Sequence, residues 1–173
     1  MKKLLFEELI PENSELFKEK LIDISGKLKV NPDWLMLTFY IETAAAKHKA
    51  INHRIQNSID ATGLIQFMPA TARNLGTTTT ALKNMTNVEQ LNWVLKYLSP
   101  YKGKMNSYVD TYLAVFFPAA IGKPDNWVVQ TSGLSAAKIA AANPGYDVNK
   151  DGKITVGEIK GKISLFIPKG HEI

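Results

Sequence analysis

The stretch Asn31-Pro32-Asp33-Trp34-Leu35-Met36-Leu37-Thr38-Phe39-Tyr40-Ile41-Glu42 decides how the rest of the chain is read. Asn31 offers a side-chain acceptor to a helix N-terminus, Pro32 suits the first helical position, and Asp33 places negative charge in the first turn. From Trp34 to Ile41 apolar side chains fall on every side of a 3.6-residue repeat, so this helix is expected at the centre of the fold. Its last residues carry a chemical oddity. Helical spacing puts Leu35, Phe39 and Glu42 on one face. A carboxyl pressed against apolar neighbours loses solvation of its charged form, which raises its pKa toward that of a general acid working near neutral pH. On local pattern alone, a carboxylate that merely emerges into solvent at the helix end is the simpler reading.

Outward from this helix the periodicity is helical almost everywhere, and a mostly α fold is expected. A preceding helix begins at Ser14, carries Phe17, Leu21 and Ile24 on one face, and is broken at Gly26. Residues 47–62 are polar and irregular, a long loop of the kind that is usually functional in a compact domain. A short helix over Pro69–Leu75 has Gly76 as its left-handed stop. Thr86-Asn87-Val88-Glu89 forms a capping box for a helix reaching Leu98, ended by Pro100. Ser107 caps a helix through Phe117 that Pro118 stops. Further helices are expected over 135–142 and from Thr155 onward, with a charged loop between them. Neither a period-2 strand pattern nor an internal repeat is present.

The 173 residues suffice for one domain with a real core and a small appendage. Hydrophobic residues at 45% exclude a disordered chain. The absence of cysteine excludes disulfides, thiolate metal sites and cysteine nucleophiles. The net charge of +5 favours anionic partners. Basic runs with interleaved aromatics are missing, so no nucleic-acid partner is expected. Lys2 and Lys3 begin like a signal peptide, but Glu7 and Glu8 interrupt it before an apolar run forms. Nor does any run approach the ~18 apolar residues of a membrane span. The expectation is a monomer with neither an export signal nor a membrane anchor.

Downstream of Glu42 stands Gly63-Leu64-Ile65-Gln66-Phe67-Met68-Pro69-Ala70-Thr71-Ala72. It closely resembles the Gly-Leu-Met-Gln plus Met-Pro-Ala-Thr-Ala signature of lysozyme-like lytic transglycosylases. The family's upstream Glu-Ser pair at the end of a buried helix is matched by Glu42-Thr43. Its third element, an Ala-Tyr-Asn type motif, has its counterpart in Tyr112-Leu113-Ala114-Val115-Phe116-Phe117. The resemblance covers residues 30–125 in the right order. It implies a lysozyme-like catalytic domain over 1–130 and cleavage of the β-1,4 bond between N-acetylmuramic acid and N-acetylglucosamine in the glycan strands of peptidoglycan. Glu42 matches the acid that protonates the leaving oxygen and then, as base, draws a proton from the muramyl 6-hydroxyl to close a 1,6-anhydro ring. Gln66 matches the glutamine beside the cleft, and Thr43, Gly63, Phe67 and Tyr112 complete the expected substrate-binding set. A true hydrolase would add a second carboxylate, for which Asp60 and Asp110 are the nearby candidates. Residues 43–48 depart from the family's Ser-Gly-Phe pattern, and Phe116 and Phe117 stand where Tyr and Asn are common. A wall-binding or virion protein without activity is therefore the rival. His48 and His53 lie in the polar loop and are expected to face solvent rather than bind zinc. Without an export signal, action on the cell wall suggests a bacteriophage product, either a holin-released endolysin or a virion-carried part.

A second pattern lies near the C-terminus. Asp147-Val148-Asn149-Lys150-Asp151-Gly152-Lys153-Ile154-Thr155-Val156-Gly157-Glu158 matches the twelve-residue calcium loop of an EF-hand. Asp147, Asn149, Asp151, Thr155 and Glu158 offer oxygens at positions 1, 3, 5, 9 and 12. Lys153 offers its carbonyl at position 7, Gly152 gives the sharp turn at position 6, and Ile154 is the apolar residue at position 8. Residues 131–173 are thus expected to form an EF-hand-like helix-loop-helix packed on the catalytic domain, with Ca2+ as a structural staple and no cofactor for the chemistry. Thr155 and Glu158 also form a capping box, the reading without metal.

Overall fold

Phe17, Leu21, Ile24 and Leu28 share one face of α1 (Ser14–Leu28), and all four are buried. The computed structural model to which they belong describes residues 3–45 and 50–173 and is mostly helical. Lys2 and the part of the expected polar loop that holds Lys47 and His48 lie outside the described residues. The chain divides into two compact units, residues 1–103 with Ile173, and residues 104–172. The boundary expected between 130 and 131 falls inside the second unit.

In the first unit, α1 runs past Gly26, where a break was expected, and stops at Lys29 in the left-handed region. The packing of Leu28 extends the helix by more than one glycine costs, about 1 kcal/mol against alanine. α2 (Pro32–Thr43) starts as its sequence dictates, with Asn31 Oδ1 accepting from the Asp33 N–H at 3.0 Å. Leu35, Met36, Leu37 and Phe39 are almost wholly buried, and Phe39 meets Phe17 edge-on at 6.3 Å.

The N-terminal segment belongs to the same core. Leu4 and Leu5 are buried, the Leu5 N–H donates to Asp33 Oδ1 at 2.8 Å, and Phe6 stacks on Tyr40 at 4.1 Å. Lys18, itself buried, pairs with Glu7 at 3.0 Å. The Leu4 N–H, followed by Lys18, holds the Glu7 carboxyl below its usual range.

α3 (Pro69–Leu75) ends at Gly76, whose φ of +89° is the left-handed stop its sequence called for. α4 (Thr79–Asn84) was not foreseen. Its threonines carry poor helix propensity, and its one buried anchor is Leu82, so no periodicity announces it. α5 (Asn87–Leu98) has the expected capping box and continues into a 3₁₀ turn, Ser99–Tyr101, that contains Pro100. α1 packs against α2 and α5, and α3 against α5.

In the second unit, α6 (Tyr108–Phe116) is capped by Ser107, whose hydroxyl accepts from the Asp110 N–H, and a 3₁₀ turn at Pro118–Ala120 follows. α7 (Ala136–Ala142) and α8 (Val156–Ser164) stand where helices were expected. A two-rung ladder crosses to the residues just before α8: Val129 N–H donates to Ile154 O at 2.8 Å, and Val156 N–H to Trp127 O at 3.0 Å. Val129 and Ile154 are fully buried, and Ile159 and Ile163 continue the core along α8, which packs on α6. Isolated bridges of this kind are the β structure of the described residues.

Candidate active site

The expected acid, Glu42, and its neighbour Thr43 stand at the C-terminal end of α2. Glu42 is half-buried in the last turn, after two and a half turns of apolar helix. Thr43 is buried. Its hydroxyl donates to Phe39 O at 2.8 Å and accepts from the Asn52 N–H at 3.2 Å, so it fastens the loop to the helix end. Its place is structural, as for a threonine bonding its own helix backbone.

From Ile51 onward the loop that follows is tied down by hydrogen bonds. Ile51 N–H donates to Leu9 O, and the Asn57 side chain accepts from the N–H groups of Ile59 and Ala61. Thr62 and Phe67 exchange both backbone hydrogen bonds, at 3.0 and 2.8 Å. They close a tight turn around Gly63, Leu64, Ile65 and Gln66. Gly63 has φ +84° and Gln66 φ +50°. A non-glycine residue in that region costs on the order of 1–2 kcal/mol, and such outliers concentrate at functional sites. Phe67 and Leu64, both buried, hold the turn in this shape.

Gln66 is half-exposed, and its Nε2 donates to Gly63 O at 3.1 Å and lies 3.4 Å from Ile55 O. Phe67 is 2% exposed and meets Tyr97 edge-on at 6.2 Å. Tyr97 in turn lies 6.2 Å from Tyr101. Burial, then the neighbouring Tyr101 and the charge of Glu42, push the Tyr97 phenol up to about 12. The protonated phenol is thereby favoured. Tyr97 thus packs on the Gly63–Phe67 turn and feels the charge of Glu42. Phe67 serves as a packing residue on that ring.

Sequence reading missed Tyr97, Tyr101 and Gln90. A signal existed for the last: α5 buries Asn87, Gln90, Leu91, Val94 and Leu98, and a glutamine inside that stripe is out of place unless its amide is bonded. His53 was expected to face solvent. It is 1% exposed, with Nε2 3.0 Å from Met85 O and 3.4 Å from Glu12 Oε1. Burial, helped by Arg54, lowers its pKa, and Glu12 and Met85 oppose this.

Three candidates remain. Asp60 is exposed in the turn after Asn57, at φ +62°. Asp110, in the second unit, accepts from the Ser107 hydroxyl and the N–H groups of Asn106 and Gly122, the work of a helix cap. Tyr112 belongs to the second unit, where it is 2% exposed, stacks on Phe116 and shares a hydrogen bond with Tyr146.

The loop Asp147 to Glu158 has the shape its sequence predicts at two points: Gly152 has φ +79°, and Ile154 is fully buried. Its oxygens bind the loop's own backbone. Asp147 accepts from the N–H groups of Asp151 and Gly152, and Asn149 from that of Asp151. Asp151 accepts from the Lys153 N–H, and Glu158 from those of Val148, Asn149 and Thr155. Burial works against the charge of Glu158, but these donors and the Thr155 hydroxyl hold its carboxyl below the usual range. The Thr155 hydroxyl is engaged in the capping box with Glu158. α7 ends at Ala142, with four residues between it and Asp147, so the loop does not continue directly from a helix. Among the described residues no three His, Asp or Glu side chains are drawn together closely enough to hold a metal.

Among the described residues no helix is long and apolar enough to cross a membrane. Compared with known protein families, curated proteins and solved structures, the chain matches none, and the functional reading rests on its own residues.

Proposed function

We propose that the chain is a lysozyme-like lytic transglycosylase that cleaves the β-1,4 bond between N-acetylmuramic acid and N-acetylglucosamine in peptidoglycan. The observation that carries this reading is the half-buried Glu42 at the end of apolar α2, whose charge helps raise the phenol of Tyr97, a ring that packs on the turn presenting Gln66. In this mechanism the Glu42 carboxyl gives its proton to the glycosidic oxygen as the bond from that oxygen to the muramyl C1 breaks. The resulting carboxylate takes the proton of the 6-hydroxyl as that oxygen bonds to C1. Water is not consumed, and Glu42 ends protonated, ready for the next bond. Tyr97 keeps its hydroxyl hydrogen throughout and supports the carboxylate stage as a neutral dipole. Gln66 holds an N-acetyl sugar in register. A chain with this activity would act as a monomer on the cell wall, as a phage endolysin or virion part.

A calcium ion at the C-terminal loop belongs to this proposal as a structural element. The chemistry of the donors suits a hard cation, with six oxygens from Asp147, Asn149, Asp151, Lys153, Thr155 and Glu158 and the turn at Gly152 already formed, and binding would draw the three carboxylates together around the ion. Calcium would supply a shared positive charge that links the entrance of α8 to the preceding loop.

The test is product analysis. Purified peptidoglycan digested with the protein is expected to release muropeptides with 1,6-anhydro ends, lighter by one water than reducing ends. Glu42→Gln is expected to lower the rate at least about 100-fold. Reducing ends would make the chain a hydrolase. Equal turnover by wild type and Glu42→Gln would remove Glu42 from the chemistry, and binding without any release would make it a wall-binding protein.

A further inference from the structure

Gln90 is fully buried, and all of its amide groups are engaged. Oε1 accepts from the Leu64 N–H at 2.7 Å, and Nε2 donates to His53 O and Leu82 O, each at 2.9 Å. The Leu64 N–H and the Gly63 carbonyl belong to one peptide unit. That carbonyl accepts from Gln66 Nε2 at 3.1 Å. The two glutamines therefore grip the same peptide plane from its opposite edges. Turning the plane breaks both contacts at once, and bonds so chained polarise one another. Gly63 permits the close approach: a Cβ there would lie 2.3 Å from Gln90 Oε1 and 2.7 Å from its carbon and nitrogen.

The grip also fixes what Gln66 can offer. Both groups facing its Nε2, Gly63 O and Ile55 O, are acceptors, so the amide nitrogen must point at them. Its oxygen is then the end turned away from the protein backbone.

We propose that Gln90 is a positioning residue that orients Gln66 through the Gly63–Leu64 peptide, so that Gln66 meets its ligand as a hydrogen-bond acceptor. The group it selects is a donor, of which the N–H of a sugar acetamido group is the expected case. This rests on reading Gln66 as a glycan-holding residue.

The experiment uses the full chain and two readouts. The first is the side-chain amide resonances of Gln66 in a nitrogen-15 NMR spectrum. The second is kcat and KM on soluble peptidoglycan fragments, measured well below each variant's melting temperature. Gln90→Met keeps the volume and removes every polar contact. It is expected to shift the Gln66 amide protons, speed their exchange, and raise KM about tenfold, the worth of one hydrogen bond to the ligand. Gln90→Glu retains an acceptor for Leu64 and is expected to recover part of both effects, and it decides the matter if Gln90→Met does not fold. Adding Gln90→Met to Gln66→Ala is expected to change KM no further. Unmoved Gln66 resonances in a folded Gln90 variant overturn the proposal, as do fully additive effects on KM. A wild type that neither cleaves nor binds the fragments, while its Gln66 resonances still respond to Gln90, sinks the glycan reading and leaves the grip standing.

Discussion

The turn around Gly63 and the loop around Gly152 both pivot on a glycine in the left-handed region, at φ +84° and +79°, yet they are shaped by opposite means. Gly63 is buried and backed by the amide of Gln90, twenty-seven positions away in sequence and on another helix. Gly152 is exposed, and a Cβ there would meet nothing within 4 Å. The first loop is held from outside, by α5 and a buried amide. The second is anchored at Ile154 and Val156, but around Gly152 itself it is held from within, by carboxylates and amides folded back onto its own N–H groups. A loop held from outside passes on disturbances from its support, whereas one held from within answers mainly to its own charges.

The sharpest way to break this contrast is to put the same methyl group on both glycines. Gly63→Ala combines left-handed strain with collision against Gln90 and is expected to cost about 2–5 kcal/mol, read as a lowered urea midpoint. Calcium addresses the second loop alone. If it binds there, saturation at about 100 times its dissociation constant is expected to add roughly 2.7 kcal/mol to stability. Glu158→Gln is expected to abolish most of that gain, and a melting temperature indifferent to both calcium and chelator would remove the ion from the fold. Gly152→Ala carries the left-handed strain without a collision and is expected to cost about 1–2 kcal/mol. Equal losses at the two glycines would mean that Gln90 does not confine the first turn.

Acid gives the smallest and most selective test. Burial lowers the His53 pKa from its ordinary value of 6.5. Its contribution is complete above about pH 6.5 and is lost as pH falls from there toward the folded value, because the unfolded chain takes up the proton first. Glu158, held below 4.5, gives a contribution that is present above pH 4.5 and lost beneath it. Stability measured from pH 7 to 3 is expected to decline in two stages. His53→Gln is expected to remove the upper one, and Glu158→Gln the lower. A single decline confined below pH 4.5 would show that the His53 environment does not disfavour its charge.

The same contrast explains what could be read beforehand. Asn31, Pro32, Thr86 with Glu89, Ser107, and Thr155 with Glu158 act on neighbours within three residues, so the starts of α2, α5, α6 and α8 were legible. So was the pivot at Gly152. Gly26 misled because a helix interior is set by tertiary burial, here that of Leu28, and α4 was missed because a single apolar anchor makes no period. In the candidate site Glu42 and Gln66 stood out, but the ring packed on Phe67 and the buried amide behind Gly63 come from α5. His53 was misjudged for the same reason: its polar neighbours in sequence say nothing of Met85 and Glu12, which surround it in space.

The contact of Phe6 with Tyr40 bears on how the protein can be handled. Tyr40 lies two residues before Glu42, and the helix that carries both is tethered at its other end when Asp33 receives the Leu5 N–H. Trimming the chain back to Ser14 would strip a ring from one end of that helix and take the Leu5 N–H from a buried carboxylate at the other. A shortened version intended to crystallise better is therefore expected to be stickier in solution, and an affinity handle is better fused where it leaves residues 4–10 seated.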